Sequence, residues 1–330
     1  DILYDFENVT GSAYDDTIYG DSSNNILKGL DGNDIIIGNT GNDTIDGGEG
    51  NDTVDFTDAA SSQNVNLALE QASGGDGIDD ILNVENVLGS KFDDVLTGDD
   101  EDNILSGQRG DDTLDGGDGD DTLDGGDGDD TATYANVTAG AVEVSLLETT
   151  AQNTVNAGSD LLIDIENLIG TSFGDTLEGN SSDNSLLGGN GDDTIVTNGS
   201  SVTGSDFVDG GTGNDDLLSY TNSTQDITLD LSDTTVQDSG DGNVEIKNIE
   251  NLEGGSGDDT LTGSSKDNEL FGKAGDDVLD GGTGEDSLYG GEGSDTLIGG
   301  SGNDIIDGEG GNDTVDYGDS NALKLTLGET

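Results

Sequence analysis

The chain has 330 residues, of which 75 are acidic and 7 are basic, and its formal net charge is −68. Such a charge repels nucleic acids and anionic membrane surfaces, so multivalent cations are the expected partners. The sequence contains no cysteine and no histidine, which excludes disulfides, thiolate metal sites and histidine-based catalysis. No apolar run is long enough to span a bilayer.

A nine-residue pattern recurs through most of the chain. It reads Gly-Gly-x-Gly-x-Asp-x-U-x, where U is a large aliphatic residue, as in GGEGNDTVD at 47–55, GGDGDDTLD at 116–124 and GGTGEDSLY at 281–289. A short fixed period predicts a solenoid, in which each unit is stabilised by its neighbours. A disordered acidic tract is the alternative that composition alone leaves open.

The repeats fall into four blocks, which begin 78, 81 and 84 residues apart. The blocks span 11–55, 89–133, 170–218 and 254–316. The third block carries a four-residue insertion in its unit at 197–209. Each block with the connector before it forms one predicted module, and we predict modules at 1–55, 56–133, 134–218 and 219–316, followed by 317–330 as the start of a further connector.

The connectors between blocks share their own features. Each block ends at an aromatic residue, namely Phe56, Tyr134, Tyr220 or Tyr317. An alternating apolar stretch follows, which predicts a half-buried strand, as in VNLALE at 65–70. A signature such as VENVLG at 84–89 precedes each block, with Glu at the aspartate position and an aliphatic residue at U. We therefore expect each connector to end in one more rung of the coil, and we interpret the chain as a segment of a longer array.

The repeat itself predicts a fold and a metal ligand set. Nine residues suit half a turn of a parallel coil, with a six-residue loop, a three-residue strand and an inward side chain at position eight. Glycines at positions one, two and four allow positive φ and close backbone approach, so carbonyl oxygens can turn toward one point, and the carboxylate at position six points there as well. Calcium prefers such mixed oxygen ligands, whereas magnesium demands a tighter octahedral geometry.

Loops on the same edge of the coil are 18 residues apart in sequence, so we expect each ion to lie between two such loops. Nine aspartate pairs have this spacing: Asp16–Asp34, Asp34–Asp52, Asp94–Asp112, Asp112–Asp130, Asp175–Asp193, Asp259–Asp277, Asp277–Asp295, Asp295–Asp313 and Asp286–Asp304. They predict about nine to twelve calcium ions. The complete set of candidate ligands is Asp16, Asp34, Asp43, Asp52, Asp94, Asp112, Asp121, Asp130, Asp175, Asp193, Asp215, Asp259, Asp277, Asp286, Asp295, Asp304 and Asp313.

The second unit of every block departs from the pattern. It has Asn at position six, namely Asn25, Asn103, Asn184 and Asn268. Eighteen residues upstream lies the Glu of the preceding signature, namely Glu7, Glu85, Glu166 and Glu250. We expect a joint without an ion, in which the Asn amide donates a hydrogen bond to the Glu carboxylate. Drift of inherited repeats is the alternative explanation.

The units at 116–133 and 281–316 resemble the hemolysin-type calcium-binding repeats of RTX proteins. The signatures before each block are similar to those of very large bacterial RTX proteins. The resemblance implies an all-β fold, a right-handed parallel β-roll or β-helix solenoid, that forms on meeting extracellular calcium after type I secretion in an unfolded state. The charge of −68 agrees with an expanded chain where calcium is scarce.

Two functions follow from this interpretation. The first is a structural or adhesive extender in a surface layer, biofilm matrix or adhesin, located outside a bacterium or on its surface. The alternative is a calcium-dependent folding and secretion appendage of a secreted enzyme. We predict no enzyme activity in this segment, because its carboxylates recur by period rather than converge in one pocket. Candidate partners besides calcium are other copies of the chain and cell-surface or matrix components.

Overall fold

The computed structural model describes residues 6–198 and 205–317 of the chain. Within these ranges the chain forms short β-strands and no α-helix, which confirms the all-β prediction. The chain divides into two compact units, Asp1–Asp193 and Thr194–Thr330. The division of the sequence into four modules stays a prediction.

The strands of the first unit are β1 (Asn8–Thr10), β2 (Thr17–Tyr19), β3 (Ile26–Asp31), β4 (Ile35–Ile37), β5 (Thr44–Glu49), β6 (Thr53–Asp55), β7 (Gln63–Asn66), β8 (Gln71–Gly74), β9 (Gly77–Leu82), β10 (Asn86–Leu88), β11 (Val95–Thr97), β12 (Ile104–Arg109), β13 (Thr113–Asp115), β14 (Thr122–Asp127), β15 (Thr131–Thr133), β16 (Glu143–Ser145), β17 (Gln152–Asn153), β18 (Ser159–Ile163), β19 (Asn167–Ile169), β20 (Thr176–Glu178) and β21 (Ser185–Asn190).

The strands of the second unit are β22 (Thr194–Val196), β23 (Ser205–Thr212), β24 (Leu217–Ser219), β25 (Thr228–Asp230), β26 (Gln237–Asp238), β27 (Asn243–Lys247), β28 (Asn251–Glu253), β29 (Thr260–Thr262), β30 (Glu269–Ala274), β31 (Val278–Asp280), β32 (Ser287–Gly293), β33 (Thr296–Ile298), β34 (Ile305–Gly311) and β35 (Thr314–Val315).

Within a block, neighbouring strands are parallel and join residues 18 positions apart, except across the inserted unit at 197–209, where Thr194 pairs with Leu217. Ile26 pairs with Thr44 in the first unit, and Thr260 pairs with Val278 in the second. Two nonapeptides therefore complete one turn of the coil, and consecutive nonapeptides place their strands in opposite sheets. This register confirms the predicted parallel β-roll.

The core is a single layer of aliphatic side chains between the two sheets. Position eight points inward, and Leu27, Ile36 and Leu114 have no exposed surface. Ala132 is also fully buried at this position, although it is the smallest side chain in the ladder. Full burial of one large aliphatic side chain contributes about 1.5–3 kcal/mol. Because the layer is one side chain deep, the loops must supply much of the remaining stability.

We call each parallel sheet that flanks a block a wall. In the first unit, block 11–55 lies between the walls β1–β3–β5–β9 and β2–β4–β6–β10. Block 89–133 keeps the second of these walls, which continues as β10–β12–β14–β18. Its other wall is β7–β11–β13–β15–β19, which the antiparallel strand β8 joins to β9 of the preceding wall. In the second unit, block 254–316 lies between β28–β30–β32–β34, which continues β24, and the new wall β25–β29–β31–β33–β35. Each of these connectors thus replaces one wall and keeps the other.

The connectors continue the coil and also form a short hairpin. Val87 pairs with Val54 on one side and with Leu105 on the other, which confirms that the connector ends in one more rung. Strands β8, β17 and β26 pair antiparallel with β9, β18 and β27, each of which is the last parallel strand of a wall. Strands β17 and β26 therefore cover a sheet edge that would otherwise expose unpaired backbone groups. Strand β8 also pairs antiparallel with β7 and so joins two walls.

The aromatic residues that end the blocks anchor the start of each connector. Phe56, Tyr134 and Tyr220 are buried, and Tyr317 is half-buried. The backbone N–H of Phe56 donates to the carbonyl oxygen of Leu88 at 2.9 Å, which holds the chain against the rung that opens the next block. The Tyr134 hydroxyl donates to Oδ2 of Asp160 at 3.1 Å inside the second connector.

Candidate metal centre

Position six of the repeats forms rows of hydrogen-bonded carboxylates along the edges of the roll. In all nine predicted pairs, the backbone N–H of the first aspartate donates to Oδ1 of the second, at 2.7 to 3.2 Å. Asp43 and Asp121 belong to rows of the same kind, because they accept the N–H groups of Asn25 and Asn103. The structure therefore brings these side chains together as the spacing predicts, whereas their binding of ions stays a prediction.

The rows differ in burial along the chain. The position-six carboxylates in the middle of a row are almost fully buried, as at Asp34 and Asp277. Asp16 and Asp304 are half-buried, and Asp313 is exposed. The buried members therefore have the strongest need for a partner.

The second carboxylate oxygen is buried and accepts no hydrogen bond in nine aspartates of the described residues. These are Asp34, Asp43, Asp52, Asp112, Asp121, Asp130, Asp277, Asp286 and Asp295. An ionised carboxylate buried in this way is unstable unless a cation or a donor reaches it. Burial accordingly raises the pKa of Asp112, Asp121 and Asp277 to about 7, and that of Asp130 to about 6.

Glycine at position one leaves the space in which this oxygen lies. A Cβ added at Gly11 would lie 2.6 Å from Oδ2 of Asp16 and 2.7 Å from the carbonyl oxygen of Gly29. A Cβ added at Gly290 would lie 2.9 Å from the carbonyl oxygen of Gly308. The missing side chain therefore lets a carboxylate oxygen and a backbone carbonyl oxygen of the next turn face the same space.

This donor set fits a hard cation. Nowhere in the described ranges do three or more acidic side chains converge on one point. The loops instead combine one or two carboxylates with backbone carbonyl oxygens, and calcium accepts about six to eight oxygens of this mixed kind. The orphaned buried oxygens, the space that a Cβ would fill and the oxygen-only ligands all agree with calcium.

At three of the four predicted joints the Asn amide is bonded to the Glu residue, but at its backbone oxygen and not at its carboxylate. At the fourth, the Asn25 amide donates to Asp21. The Asn103 amide donates to the backbone carbonyl oxygen of Glu85 at 3.0 Å, not to its carboxylate. The Glu85 carboxylate is occupied, because its Oε2 accepts the N–H of Asp52 at 2.7 Å. The same two bonds recur around Glu166 and Glu250. The carboxylate of this Glu is therefore the last acceptor in the aspartate row of the preceding block. Its backbone carbonyl oxygen accepts the hydrogen bond from the Asn of the following block.

One predicted position moves by one residue. Leu218 is fully buried, so it occupies the inward position eight and Asp216 occupies position six. The N–H of Asp216 donates to Oε2 of Glu250 at 3.3 Å, as in the other rows. Asp215 is exposed and accepts a hydrogen bond from the Asn251 amide. The prediction of Asp215 at position six is therefore corrected to Asp216, because this unit has ten residues rather than nine.

The inserted unit at 197–209 is described only in part, since residues 199–204 lie outside the described part of the chain. After them, Val208 is fully buried in β23 and takes the inward position. Asp206 precedes it by two residues and is buried, so it stands at position six of this unit. Counting in steps of nine residues did not identify this aspartate, because the insertion shifts its position within the unit.

Two connectors also contribute carboxylates to the rows, which the reasoning from sequence missed. Asp79 and Asp160 accept, through Oδ1, the N–H of the aspartate in the preceding rung, at 2.8 and 3.1 Å. Burial raises the pKa of each to about 6. The repeat pattern could have identified both residues. GGDGIDDIL at 74–82 matches the complete nonapeptide, and GSDLL at 158–162 matches positions four to eight of one.

Comparisons with known proteins agree with this geometry. The sequence profile of the RTX calcium-binding nonapeptide repeat matches residues 4–36, 29–57, 84–114, 97–132, 169–200, 202–219, 253–288 and 289–321, which together make up more than half of the chain. A search of curated proteins finds no match. Among the described residues, no helix has the length and apolarity to cross a membrane. The repeating carboxylate rows thus have the sequence of a known calcium-binding unit, and the chain belongs to the RTX family of calcium-binding nonapeptide-repeat proteins.

Proposed function

We propose that this chain is the calcium-binding β-roll segment of a secreted bacterial protein, that it folds on extracellular calcium and that it acts as a structural or adhesive extender. The observation that carries the calcium step is the row of buried carboxylates with orphaned oxygens, such as Asp34, Asp112 and Asp277. These aspartates, together with backbone carbonyl oxygens such as those of Gly47 and Gly308, would hold the ions.

Charge explains why folding would wait for calcium. The chain has a net charge of −68, and its thin core cannot offset the burial of ionised carboxylates. Roughly ten calcium ions would offset about twenty charges and supply the partner that the buried oxygens lack. Scarce calcium would therefore leave the chain expanded, and abundant extracellular calcium would favour the roll.

Continuity of the walls supports the extender role. Strand β10 of a connector joins the last strand of one block to the second unit of the next block through backbone hydrogen bonds. Tension applied along the chain would then be carried by sheet hydrogen bonds between blocks rather than by a flexible linker. This is the property that a spacer in a surface layer, biofilm matrix or adhesin requires.

A calcium titration of the full chain tests the calcium step. Circular dichroism would follow β-structure while equilibrium dialysis counts bound calcium, and we expect both to rise together. Asp121→Asn removes a buried row carboxylate, and Asp118→Asn removes an exposed charge three residues away as a matched control. We expect only the first variant to lose calcium. Unchanged β-structure in chelator would refute folding on calcium.

Force spectroscopy tests the extender role. The chain would be pulled from its two ends, first with saturating calcium and then with chelator. We expect a high unfolding force in calcium, because rows and walls must break together, and little resistance without it. Equal resistance in both conditions would remove the mechanical role while leaving calcium binding intact.

A further inference from the structure

The loops of the roll are of two kinds, which differ in the backbone at position two. From the third unit of each block onward, and outside the interrupted unit at 197–209, the residue at position two has a positive φ. These residues are Leu30, Asn39, Gly48, Gln108, Gly117, Gly126, Gly189, Gly211, Lys273, Gly282, Gly291, Gly300 and Glu309. No residue in the first two loops of any block has a positive φ.

The first two loops of each block, which we call opening loops, close on themselves. In all eight, the backbone N–H at position two donates to a side-chain oxygen at position six, at 2.5 to 2.8 Å. The acceptors are Asp16, Asn25, Asp94, Asn103, Asp175, Asn184, Asp259 and Asn268. None of them is among the nine aspartates with an orphaned oxygen.

The backbone angle at position two and the hydrogen bond of its N–H divide the loops in the same way. In the loops of the nine aspartates with an orphaned oxygen, φ at position two is positive and the second carboxylate oxygen accepts no hydrogen bond, as at Asp112. Where φ is negative, the N–H satisfies that oxygen, as Ser90 does for Asp94. In the opening loops the backbone of the loop itself satisfies the oxygen at position six, whereas the orphaned oxygens of the other loops still require a partner.

We propose that each block opens with two loops that form without calcium, and that ion binding begins at the third unit. This inference rests on the proposed function, since it assigns which loops of the roll take the ions. Asp16, Asp94, Asp175 and Asp259 are then hydrogen-bond acceptors that close a loop rather than calcium ligands.

The sequence of the opening loops agrees with an ion-independent conformation. The second loop has no glycine at position two or four, so it replaces flexible backbone with side-chain caps. In block 89–133, Asp99 caps the N–H of Glu101 at 2.9 Å, and the N–H of Asp99 itself donates to Asn103. Asn103 also reaches the backbone of Glu85 in the preceding rung. The opening pair is therefore tied to the previous block by protein groups alone.

A matched pair of substitutions in the full chain tests the assignment. Asp94→Asn and Asp112→Asn change neighbouring members of one row by the same atom, and Asn already occupies position six in an opening loop at Asn103. Native mass spectrometry would count the ions bound to each variant at saturating calcium. We expect Asp94→Asn to keep the wild-type count and Asp112→Asn to lose about one or two ions.

The outcomes separate the inference from the proposed function. Equal ion losses in Asp94→Asn and Asp112→Asn would overturn the inference while calcium binding by the roll stands. A wild-type chain that binds no calcium would overturn the proposed function itself. If Asp112→Asn failed to fold, the number of calcium ions bound to Asp94→Asn would still test the inference. A lost ion in that variant would contradict an ion-free opening loop.

A gain of binding provides the converse test. Asp99→Gly, Glu101→Gly and Asn103→Asp together convert GDDEDN at 98–103 to GGDGDD, the sequence of an ion-binding loop. We expect this triple variant to bind at least one more ion than the wild type, with circular dichroism confirming that it remains folded. A folded triple variant with an unchanged ion count would contradict the proposed role of position two.

Discussion

Replacing Gly281, at position one of its loop, by alanine should damage the roll far more than replacing Gly310, at position three of another loop. A Cβ at Gly281 would lie 2.5 Å from Oδ2 of Asp286 and 2.8 Å from both its Cβ and its Cγ. The carboxylate of Asp286 would have to move, and its hydrogen bond from the Asn268 N–H at 2.9 Å would break. At Gly310 an added Cβ would meet only the flexible Glu292 side chain, at 3.2–3.3 Å.

The magnitudes follow from these contacts. Overpacking costs about 1–3 kcal/mol, and the lost hydrogen bond to a charged group costs about 1.5–3 kcal/mol, so Gly281→Ala should lower the free energy of unfolding by about 2.5–6 kcal/mol. Gly310→Ala should change it by less than about 1 kcal/mol in either direction, because alanine also restricts the unfolded chain.

Urea unfolding in saturating calcium, followed by circular dichroism, measures both variants against the wild type. Bound calcium would be counted in parallel, and we expect Gly281→Ala to lose affinity because Asp286 is displaced. Equal unfolding midpoints for Gly281→Ala and Gly310→Ala would refute the argument that the space at position one belongs to the carboxylate.

Three further predictions concern the core, the pH and the connector. Leu114→Ala should lower the free energy of unfolding by about 2–5 kcal/mol in a thermal melt with calcium, because Leu114 is fully buried in a one-layer core. Val95→Ala, on an exposed face of the neighbouring strand, should cost less than about 0.5 kcal/mol, and similar losses would contradict the single-layer core. Burial raises the pKa of Asp112 to about 7, above its unfolded value of 3.8, so the calcium-free roll should be most stable below pH 4 and lose stability as the pH rises to 7. Circular dichroism in chelator should therefore show more β-structure at pH 5 than at pH 7.5, and no gain on acidification would contradict this sign. Tyr134→Phe should cost about 1–3 kcal/mol in urea unfolding, because Asp160 loses a buried hydrogen-bond donor, and an unchanged midpoint would show that this bond contributes nothing.

The repeat predicted the parallel register and the core, because period alone fixes both. With nine residues per half turn, residues 18 apart must be neighbours, and the pairing of Ile26 with Thr44 follows directly. Position eight was predictable for the same reason, since an alternating strand of three residues has one inward side chain. The nine aspartate pairs required only this spacing.

The structure differs from the sequence prediction where the packing of side chains does not follow the nine-residue count. An extra residue shifted the frame at Asp215, and burial of Leu218 rather than the nonapeptide count decided which aspartate faces inward. The Glu85 carboxylate was predicted to accept from Asn103, yet the N–H of Asp52 is also directed at that oxygen. Sequence spacing identifies neighbours, but it does not say which of two donors an acceptor takes.

The peptide orientation at position two was also beyond the sequence pattern. Leu30, Gln108 and Lys273 have positive φ although they carry side chains, while Gly255 in an opening loop does not. The conformation is therefore set by the position of a loop within its block rather than by glycine content. Strain of this kind at a residue with a side chain is tolerated only when the surrounding structure imposes it.

The exchange of one wall at each of these connectors has a consequence for how such chains can lengthen. Because block 11–55 and block 89–133 share the sheet that runs through β6, β10 and β12, neither is complete without residues of the other. Duplicating a block with its connector, however, supplies both a shared wall and a new one, so an added copy finds the partner strands that it needs. Growth by whole steps preserves every backbone hydrogen bond at the junction, whereas loss of part of a step would leave two unmatched edges.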